Sequence, residues 1–517
     1  MHMVDRQRTS LMPHVYQTAI FFILVAGYSV WSWSDVLGEF GGDNAYYLLM
    51  AHYFSPWSEH SPVITYFAVH NQYPPFYPMV LALFGGADNL LAAHLITTTL
   101  LLFAFAVYYA WQRTLGFSTY TAGLIVLLFA LLPGTYMQAL SVLSENLYLL
   151  SSLGCLASVG MFESGRRERW LWIATVSVAA AVLTRSAGAS LLAAFLLYLV
   201  FHRPRGSWRF ILGAILPVVL WNLLGPHQSP GYLSSLAEKY GPDPISALLR
   251  QFSLEIRMLW HGWVGNFTTS SVGPWVMAVI GALGLLGTVR RIFFRKLDGI
   301  YVGIYICLII VWPFPAEAQR LLFVIVPVLM AQCLLLLDRL PPLILSERRV
   351  LPCHLILLVL AVVAAPDLLL TVKRFSQPMP DQMAKFRRSI DWYAIDPAEA
   401  RSNVAFDRSL TDHLKSLSKV VPEGDCIYSI KPSLVGYYAG RVSMIPPRPN
   451  FDATAFNTSL RQTGCRYFYL MGFLSPSYPI AYYPLARLGD ALAVVSVSPG
   501  SPDPGRPVGV LAMLKDN

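Results

Sequence analysis

The sequence predicts a polytopic α-helical membrane protein with a C-terminal α/β domain outside the membrane. Three observations carry this. The 517 residues are 55% hydrophobic and 13% charged, with a mean hydropathy of +0.50, whereas a soluble chain carries about 25% charge. About eleven apolar runs reach or approach the ~20 residues that cross a bilayer. Beyond residue 372 the pattern changes to charge, proline and short alternating runs. The formal charge of +9 does not imply nucleic acid, because the basic residues gather in short loops on one side. The six cysteines show no metal-ligand spacing.

Arg6 and Arg8 precede the first span, about 14–33. It shows neither the short core nor the small-residue cleavage site of a signal peptide. It is therefore read as retained, with the N-terminus cytoplasmic. The outer loop 34–89 holds Asp35, Glu39, Asp43, Glu59 and Asp88 but no Lys or Arg. Within it, Asn44–Phe54 can form a short helix along the interface, with Tyr46, Leu49, Met50 and Tyr53 on one face.

Further spans follow at 90–111, 120–136, 142–162, 170–184, 187–201, 210–224, 274–289, 299–312, 321–337 and 351–372. Arg166, Arg167 and Arg169, then Arg203 and Arg205, then Arg290, Arg291, Arg295 and Lys296, then Arg348 and Arg349, all fall in inner loops. The second outer loop, 225–273, carries only Lys239, Arg250 and Arg257. The spans alternate without conflict, which gives a transmembrane domain over 1–372 and an extracytoplasmic domain over 373–517.

That domain alternates strand-like runs (Cys426–Ile430, Arg466–Leu470, Leu492–Val497, Val508–Met513) with helical ones (Pro432–Ala439, Ala453–Thr463). Cys426 and Cys465 each precede an expected strand. Neighbouring parallel strands in an oxidising compartment could join them, and the alternative is two buried free thiols.

The chemistry-bearing residues cluster on the outer side. Asp43 follows two glycines and opens a helix, so it can cap that helix. It can also take a proton from an acceptor hydroxyl or hold a divalent cation such as Mg, Mn or Zn. Glu145, at the outer end of its span, can face water, pair with Arg, or join Asp43 at one catalytic or metal site. Arg185 and Arg320 lie on the side that disfavours basic residues, so each wants an anion. That anion is either an outer carboxylate or a phosphate, which Arg suits by its fork geometry. Lys431 is a further phosphate candidate from the outer domain. His52, His60 and His70 share the first loop without metal-pair spacing and read as interfacial polar residues or substrate contacts. The run Gln72-Tyr73-Pro74-Pro75-Phe76-Tyr77-Pro78 reads as a rigid lead into the next span, whose aromatics could line a sugar pocket. Asn266-Phe267-Thr268 and Asn457-Thr458-Ser459 are glycosylation sequons.

Several of these stretches, in order along most of the chain, resemble the GT-C glycosyltransferases. They are Asp43 with the Tyr46-Tyr47 helix, Tyr73 to Pro78, Leu143-Ser144-Glu145-Asn146-Leu147-Tyr148, Leu183-Thr184-Arg185-Ser186-Ala187-Gly188, Gln319-Arg320-Leu321-Leu322 before Pro327, and Lys431-Pro432 through Tyr437-Tyr438-Ala439-Gly440-Arg441. The nearest branch is the one that holds protein O-mannosyltransferases and lipid A aminoarabinose transferases.

The resemblance implies a GT-C-like fold and an inverting transfer of a sugar from a polyprenyl-phosphate donor to a lipid, glycan or protein acceptor. The reaction would take place on the periplasmic side of a bacterial inner membrane. It implies Asp43 as general base or metal ligand, Glu145 as the second acid, and Arg185, Arg320 and Lys431 around the donor phosphate. Asn44, Tyr46, Tyr47, His52, His60, Gln72 and Tyr73 would line the substrate pocket. Asn44 stands where many relatives carry a second acid, and Gln72 where some carry one before the prolines; both count against a metal.

Two other classes remain open. A transporter or flippase of lipid-linked sugars would show deep polar groups, internal repeats or broken helices. A non-catalytic subunit of cell-envelope assembly would tolerate loss of Asp43.

Overall fold

The computed structural model describes residues 18–38, 41–70, 72–226, 236–237, 239–241, 243–269, 273–338, 343–345, 348–350, 352–378, 381–384, 386, 389–393, 396–447, 453–462, 464–472, 491–499 and 507–515. Each apolar run coincides with helix: α1 (Thr18–Trp31), α5 (Leu90–Thr114), α6 (Thr119–Leu131), α8 (Glu145–Gly165), α9 (Glu168–Thr184), α10 (Ala189–His202), α11 (Ser207–Leu224), α13 (Gly273–Phe293), α14 (Leu297–Ile310), the pair α15 (Ala318–Phe323) and α16 (Val326–Leu337), and α17 (Pro352–Ser376). Short helices α2 (Asp43–Phe54), α3 (Pro62–Val69), α4 (Phe76–Leu83) and α7 (Pro133–Gln138) fill the loops, with the longer α12 (Pro244–Gly265) in the second.

Helix length does not carry the expected eleven crossings. Among the described residues five helices are long and apolar enough to cross a membrane, or six if one bent pair counts as a single span. One of the shorter helices has a visible local cause. The expected span 120–136 breaks at Leu132, whose extended ψ of 142° is the conformation that the following Pro133 requires. The 13 residues of α6 rise only about 20 Å, short of a ~30 Å hydrocarbon core.

The segments Pro315–Phe323 and Val326–Leu337 meet at 61°. At that break Ile325 N turns to Leu322 O (2.9 Å). Two buried tyrosines satisfy neighbouring carbonyls: Tyr305 OH donates to Leu321 O and Tyr108 OH to Pro327 O, both at 2.8 Å.

The bundle packs α5 on α8, α8 on α9, and α13 on α16. The last contact needs a small residue: a Cβ on Gly287 would lie 2.6 Å from Gln332 O. Helix α8 spans about 30 Å along its axis, so its first residue, Glu145, and its last, Gly165, mark opposite ends of the bundle.

A two-stranded antiparallel ladder, β1 (Leu343–Leu345) and β2 (Arg348–Val350), precedes α17, and at the Glu145 end lies the five-stranded C-terminal sheet, in the order β4-β3-β5-β7-β6. Its strands are β3 (Ile427–Ser429), β4 (Ser443–Met444), β5 (Tyr467–Met471), β6 (Leu492–Val497) and β7 (Gly509–Leu514). Strand β3 runs parallel to β4 and β5, and β7 antiparallel to β5 and β6. Pairing of Ile427 with Tyr467 brings Cys426 and Cys465 together, and they form a disulfide with a Cα–Cα distance of 4.8 Å. Helices α18 (Pro397–Ser416), α19 (Pro432–Ala439) and α20 (Ala453–Gln462) accompany the sheet. Helix α17 continues to Ser376, past the expected domain boundary.

Helix α2 is not interfacial, as expected from its sequence, but interior. Ala45, Tyr47, Leu48, Leu49, Met50 and Ala51 are all buried. Ala45, Tyr47, Leu48 and Ala51 share one core with Leu143 and Leu147 of the bundle and with Leu434, Val435 and Phe468 of the sheet domain. The helix thus sits between two large bodies, both of which fix its first residue, Asp43.

Candidate active site

Both acids singled out in the sequence are the first residues of helices, where the helix dipole favours a negative charge. Asp43 is not the cap of its helix. The cap position is Gly42, at φ 97°, a left-handed conformation that suits glycine. The Asp43 carboxylate instead accepts from Tyr73 OH at Oδ1 (2.7 Å) and from Arg320 Nη2 at Oδ2 (2.6 Å). Arg320 also donates through Nε to Glu145 Oε1. The same Oε1 faces Arg185 Nη1 at 2.5 Å. Arg185 ends α9 in extended backbone and donates at 3.2 Å to Ser144 Oγ, which in turn bonds Tyr47 OH at 2.8 Å.

A continuous chain therefore runs Tyr73–Asp43–Arg320–Glu145–Arg185–Ser144–Tyr47. It draws on the first loop, α8, the end of α9 and α15. Its members differ in access. The Glu145 side chain is 1% exposed and Asp43 18%. Asp43 is therefore the acid that a substrate can meet, while Glu145 holds the two guanidiniums from behind. Glu145 Oε2 is buried with no hydrogen-bond partner among the described residues.

Burial alone would push the Asp43 carboxyl up, but Arg320, with Tyr73 and Lys431, holds it below the ordinary aspartate range. For Arg185, burial favours the neutral form, yet Glu145 outweighs it and the pKa is raised, so the guanidinium stays charged. Burying such a network costs desolvation that the ion pairs only roughly offset; its value lies in fixed geometry.

Rings form a wall beside Asp43. Tyr73 lies 5.4 Å from Tyr46 and 5.2 Å from Tyr47, centroid to centroid, and Tyr47 packs on Tyr77 at 5.1 Å. Gln72 is half-buried next to Tyr73 in the chain.

The other expected residues make different bonds. Asn44 fastens the preceding loop, donating to Leu37 O at 3.4 Å and accepting from Ala45 N at 2.8 Å. His52 pairs with Asp88 (3.2 Å) and His60 bonds Tyr53 O (2.8 Å), both near the far end of α2, roughly 14 Å along its axis from Asp43. His70 bonds Tyr66 O at 3.0 Å. Lys431 donates through Nζ to Gly41 O at 2.7 Å.

The turn that carries Arg320 is braced by the end of α12. Asn266 Nδ2 donates to Gln319 O and to Gly262 O, both at 2.8 Å, and Gln319 Nε2 donates to Gly265 O at 3.0 Å. A Cβ on Gly262 would fall 2.6 Å from Gln319 N. Asn266 is 2% exposed, so this sequon asparagine is a brace and not a glycan acceptor. The sequence reading missed Ser144 and Asn266 as site residues, and also Glu317, half-buried one turn before Arg320. The only signal for Ser144 was its place before Glu145.

A divalent cation held by Asp43 and Glu145 would have to displace bound guanidiniums. Among the described residues no group of three or more His, Cys, Asp or Glu could hold a metal ion. Asp43 Oδ2 and Glu145 Oε1 face guanidiniums, which compete for the same lone pairs.

No protein-family model and no curated protein matches the chain, but solved structures do. ArnT from Cupriavidus metallidurans in the apo state aligns over 98% of this chain and 98% of its own, with a TM-score of 0.52 and 15% identity. ArnT bound to undecaprenyl phosphate aligns over 97% of each chain, with a TM-score of 0.50 and 16% identity. Archaeal oligosaccharyltransferase AglB from Archaeoglobus fulgidus, in complex with an inhibitory peptide and a dolichol-phosphate, aligns over 88% of this chain and 69% of its own, with a TM-score of 0.47 and 13% identity. At such identities the likeness is one of fold, and the chain has the GT-C fold of the lipid A aminoarabinose transferase ArnT.

Proposed function

We propose that this protein is a membrane glycosyltransferase that moves a sugar from a polyprenyl-phosphate donor to a lipid, glycan or protein acceptor, on the extracytoplasmic face of a bacterial inner membrane. One observation carries the reading: Asp43, Arg320, Glu145 and Arg185, from four separate elements, meet in one hydrogen-bonded chain at one end of an apolar bundle. The undecaprenyl phosphate bound by ArnT, a protein of the same fold, supports the donor class.

The donor is a phosphodiester with one negative charge and an apolar tail. The tail lies along the helices and the phosphate meets Arg185 and Arg320. The acceptor oxygen attacks the anomeric carbon from the face opposite the phosphate. The bond from that carbon to the phosphate oxygen breaks, its electron pair leaves with the phosphate, and the acceptor proton passes to Asp43. The configuration at the anomeric carbon inverts. The leaving phosphate monoester gains negative charge as the bond breaks, so the guanidiniums hold the transition state more tightly than the donor.

Arg320 links the two halves of the reaction. When the phosphate draws its guanidinium, Asp43 loses its counter-charge and becomes a better base. Donor binding thus prepares the proton acceptor.

The 61° bend between Pro315–Phe323 and Val326–Leu337 favours a second reading, a transporter of lipid-linked sugars, since such proteins use broken helices. Incubation of purified protein with a panel of polyprenyl-phosphate sugars and candidate acceptors separates the two. Release of free polyprenyl phosphate, lost in Asp43→Ala, supports transfer. Movement of intact donor across a vesicle, with none consumed, supports transport, and unchanged transfer by Asp43→Ala removes the assignment of this acid.

A further inference from the structure

We propose that the sheet domain is a working part of this site, with Ser433 and Lys431 as positioning residues that set where Asp43 points. The inference rests on the reading of Asp43 given above.

Helix α2 begins after Gly41-Gly42, the most freely rotating pair a chain can offer, and no side chain caps it. Asn44, the next residue, fastens to Leu37 O, but the glycine pair has no side chains of its own to hold it in place. The fixing comes from a segment almost 400 residues away in the chain. Ser433 Oγ donates to Gly42 O and Lys431 Nζ to Gly41 O, both at 2.7 Å. Gly42 O also accepts the first helical bond, from Tyr46 N at 3.1 Å. The two donors therefore grip the carbonyl on which the helix starts and the one before it.

The contact is fitted. Ser433 is 1% exposed. A Cβ on Gly42 would lie 3.0 Å from Ser433 Oγ, and one on Gly436 would lie 2.2 Å from Phe67. The grip is also anchored. Lys431 N donates to Ser429 Oγ at 3.3 Å, and Ser429 closes strand β3, which the Cys426–Cys465 disulfide and its pairing tie to β5. A rigid sheet thus presents two donors to a flexible hinge. Placed so, the Lys431 ammonium serves the backbone beneath Asp43 and adds positive charge beside it.

The test uses the full chain, reconstituted in lipid, with Ser433→Ala, Lys431→Met and Asp43→Asn made singly and in pairs. Donor turnover is measured together with binding of undecaprenyl phosphate. Ser433→Ala and Lys431→Met should each lower kcat by roughly 10- to 100-fold, the scale of an ångström-sized misplacement, while donor KM and undecaprenyl phosphate binding change less than about twofold. On the residual activity of Asp43→Asn neither should cost anything more, because the group they position is gone.

Losses that multiply on the Asp43→Asn background would overturn the inference and leave an ordinary domain contact. Weakened undecaprenyl phosphate binding in Lys431→Met would overturn it in favour of a phosphate contact. If Asp43→Asn alone is impaired while Ser433→Ala and Lys431→Met are not, only the positioning role fails. If Asp43→Asn turns over like wild type, the reading of the site fails with it.

Discussion

Arg320 is the pivot at the scale of single residues, because one guanidinium serves both Asp43 and Glu145. Without donor it helps hold Asp43 ionised, so on the proposed mechanism the acid limb of kcat/KM should lie below the ordinary aspartate range. On the proposed mechanism Arg320 turns to the phosphate of a bound donor and the burial of Asp43 counts for more, so the acid limb of kcat should lie at higher pH. Coincident limbs in the two profiles would remove the coupling. Arg320→Ala should move the kcat/KM limb upward for the same reason and slow turnover by roughly 10²–10³-fold. The sign for stability follows: the folded state favours ionised Asp43, so its contribution is present at neutral pH and is lost as pH falls through its lowered value. The four charged residues were legible in the sequence because acids and arginines are out of place on an apolar outer surface. That each guanidinium would meet an outer carboxylate was one of two readings; which carboxylate it would meet was not legible. Nor were the roles of Ser144 and Lys431, since a hydroxyl or an ammonium reveals its partner only when distant segments meet.

Elements explain why those residues hold still. The six-residue helix that carries Arg320 is too short to be rigid alone. Asn266 ties it to α12 and Tyr305 satisfies the carbonyl of Leu321 at the break. Asn266→Ala would leave Gln319 O without that donor, at about 1–3 kcal/mol, so thermal unfolding should start a few degrees lower and turnover should fall with it. Expression in a eukaryotic secretory pathway should leave Asn266 without glycan, read as no mass shift on its peptide; occupancy there would contradict its burial. Helices and strands were legible where periodicity and punctuation agree, as at Leu492–Val497 and Pro432–Ala439, which match their expected bounds. The interior position of α2 was not, because the surface that covers it belongs partly to α19, almost 400 residues on. The break at Leu132 lay in plain sight before Pro133 but was overridden by the unbroken apolar composition.

The whole molecule joins an apolar bundle to a mixed sheet through one shared core around α2. The disulfide closes 39 residues within that sheet domain, and its removal by Cys426→Ser with Cys465→Ser should cost about 2–4 kcal/mol, seen as earlier thermal unfolding of the sheet domain. An unchanged transition would mean that the bond adds nothing. The fold class was legible because a bilayer-length apolar run is hard to mistake. Helix length among the described residues does not confirm the number of crossings, because composition does not say where a helix bends or stops short. The central claim, that Asp43 and Arg320 act together on a lipid-phosphate sugar, is tested most directly by release of free polyprenyl phosphate from reconstituted protein. Wild type should release it with sugar transferred, and Asp43→Asn should bind the donor as wild type does yet turn over at least about 100-fold slower. Release at the wild-type rate by Asp43→Asn or by Arg320→Ala would contradict that claim.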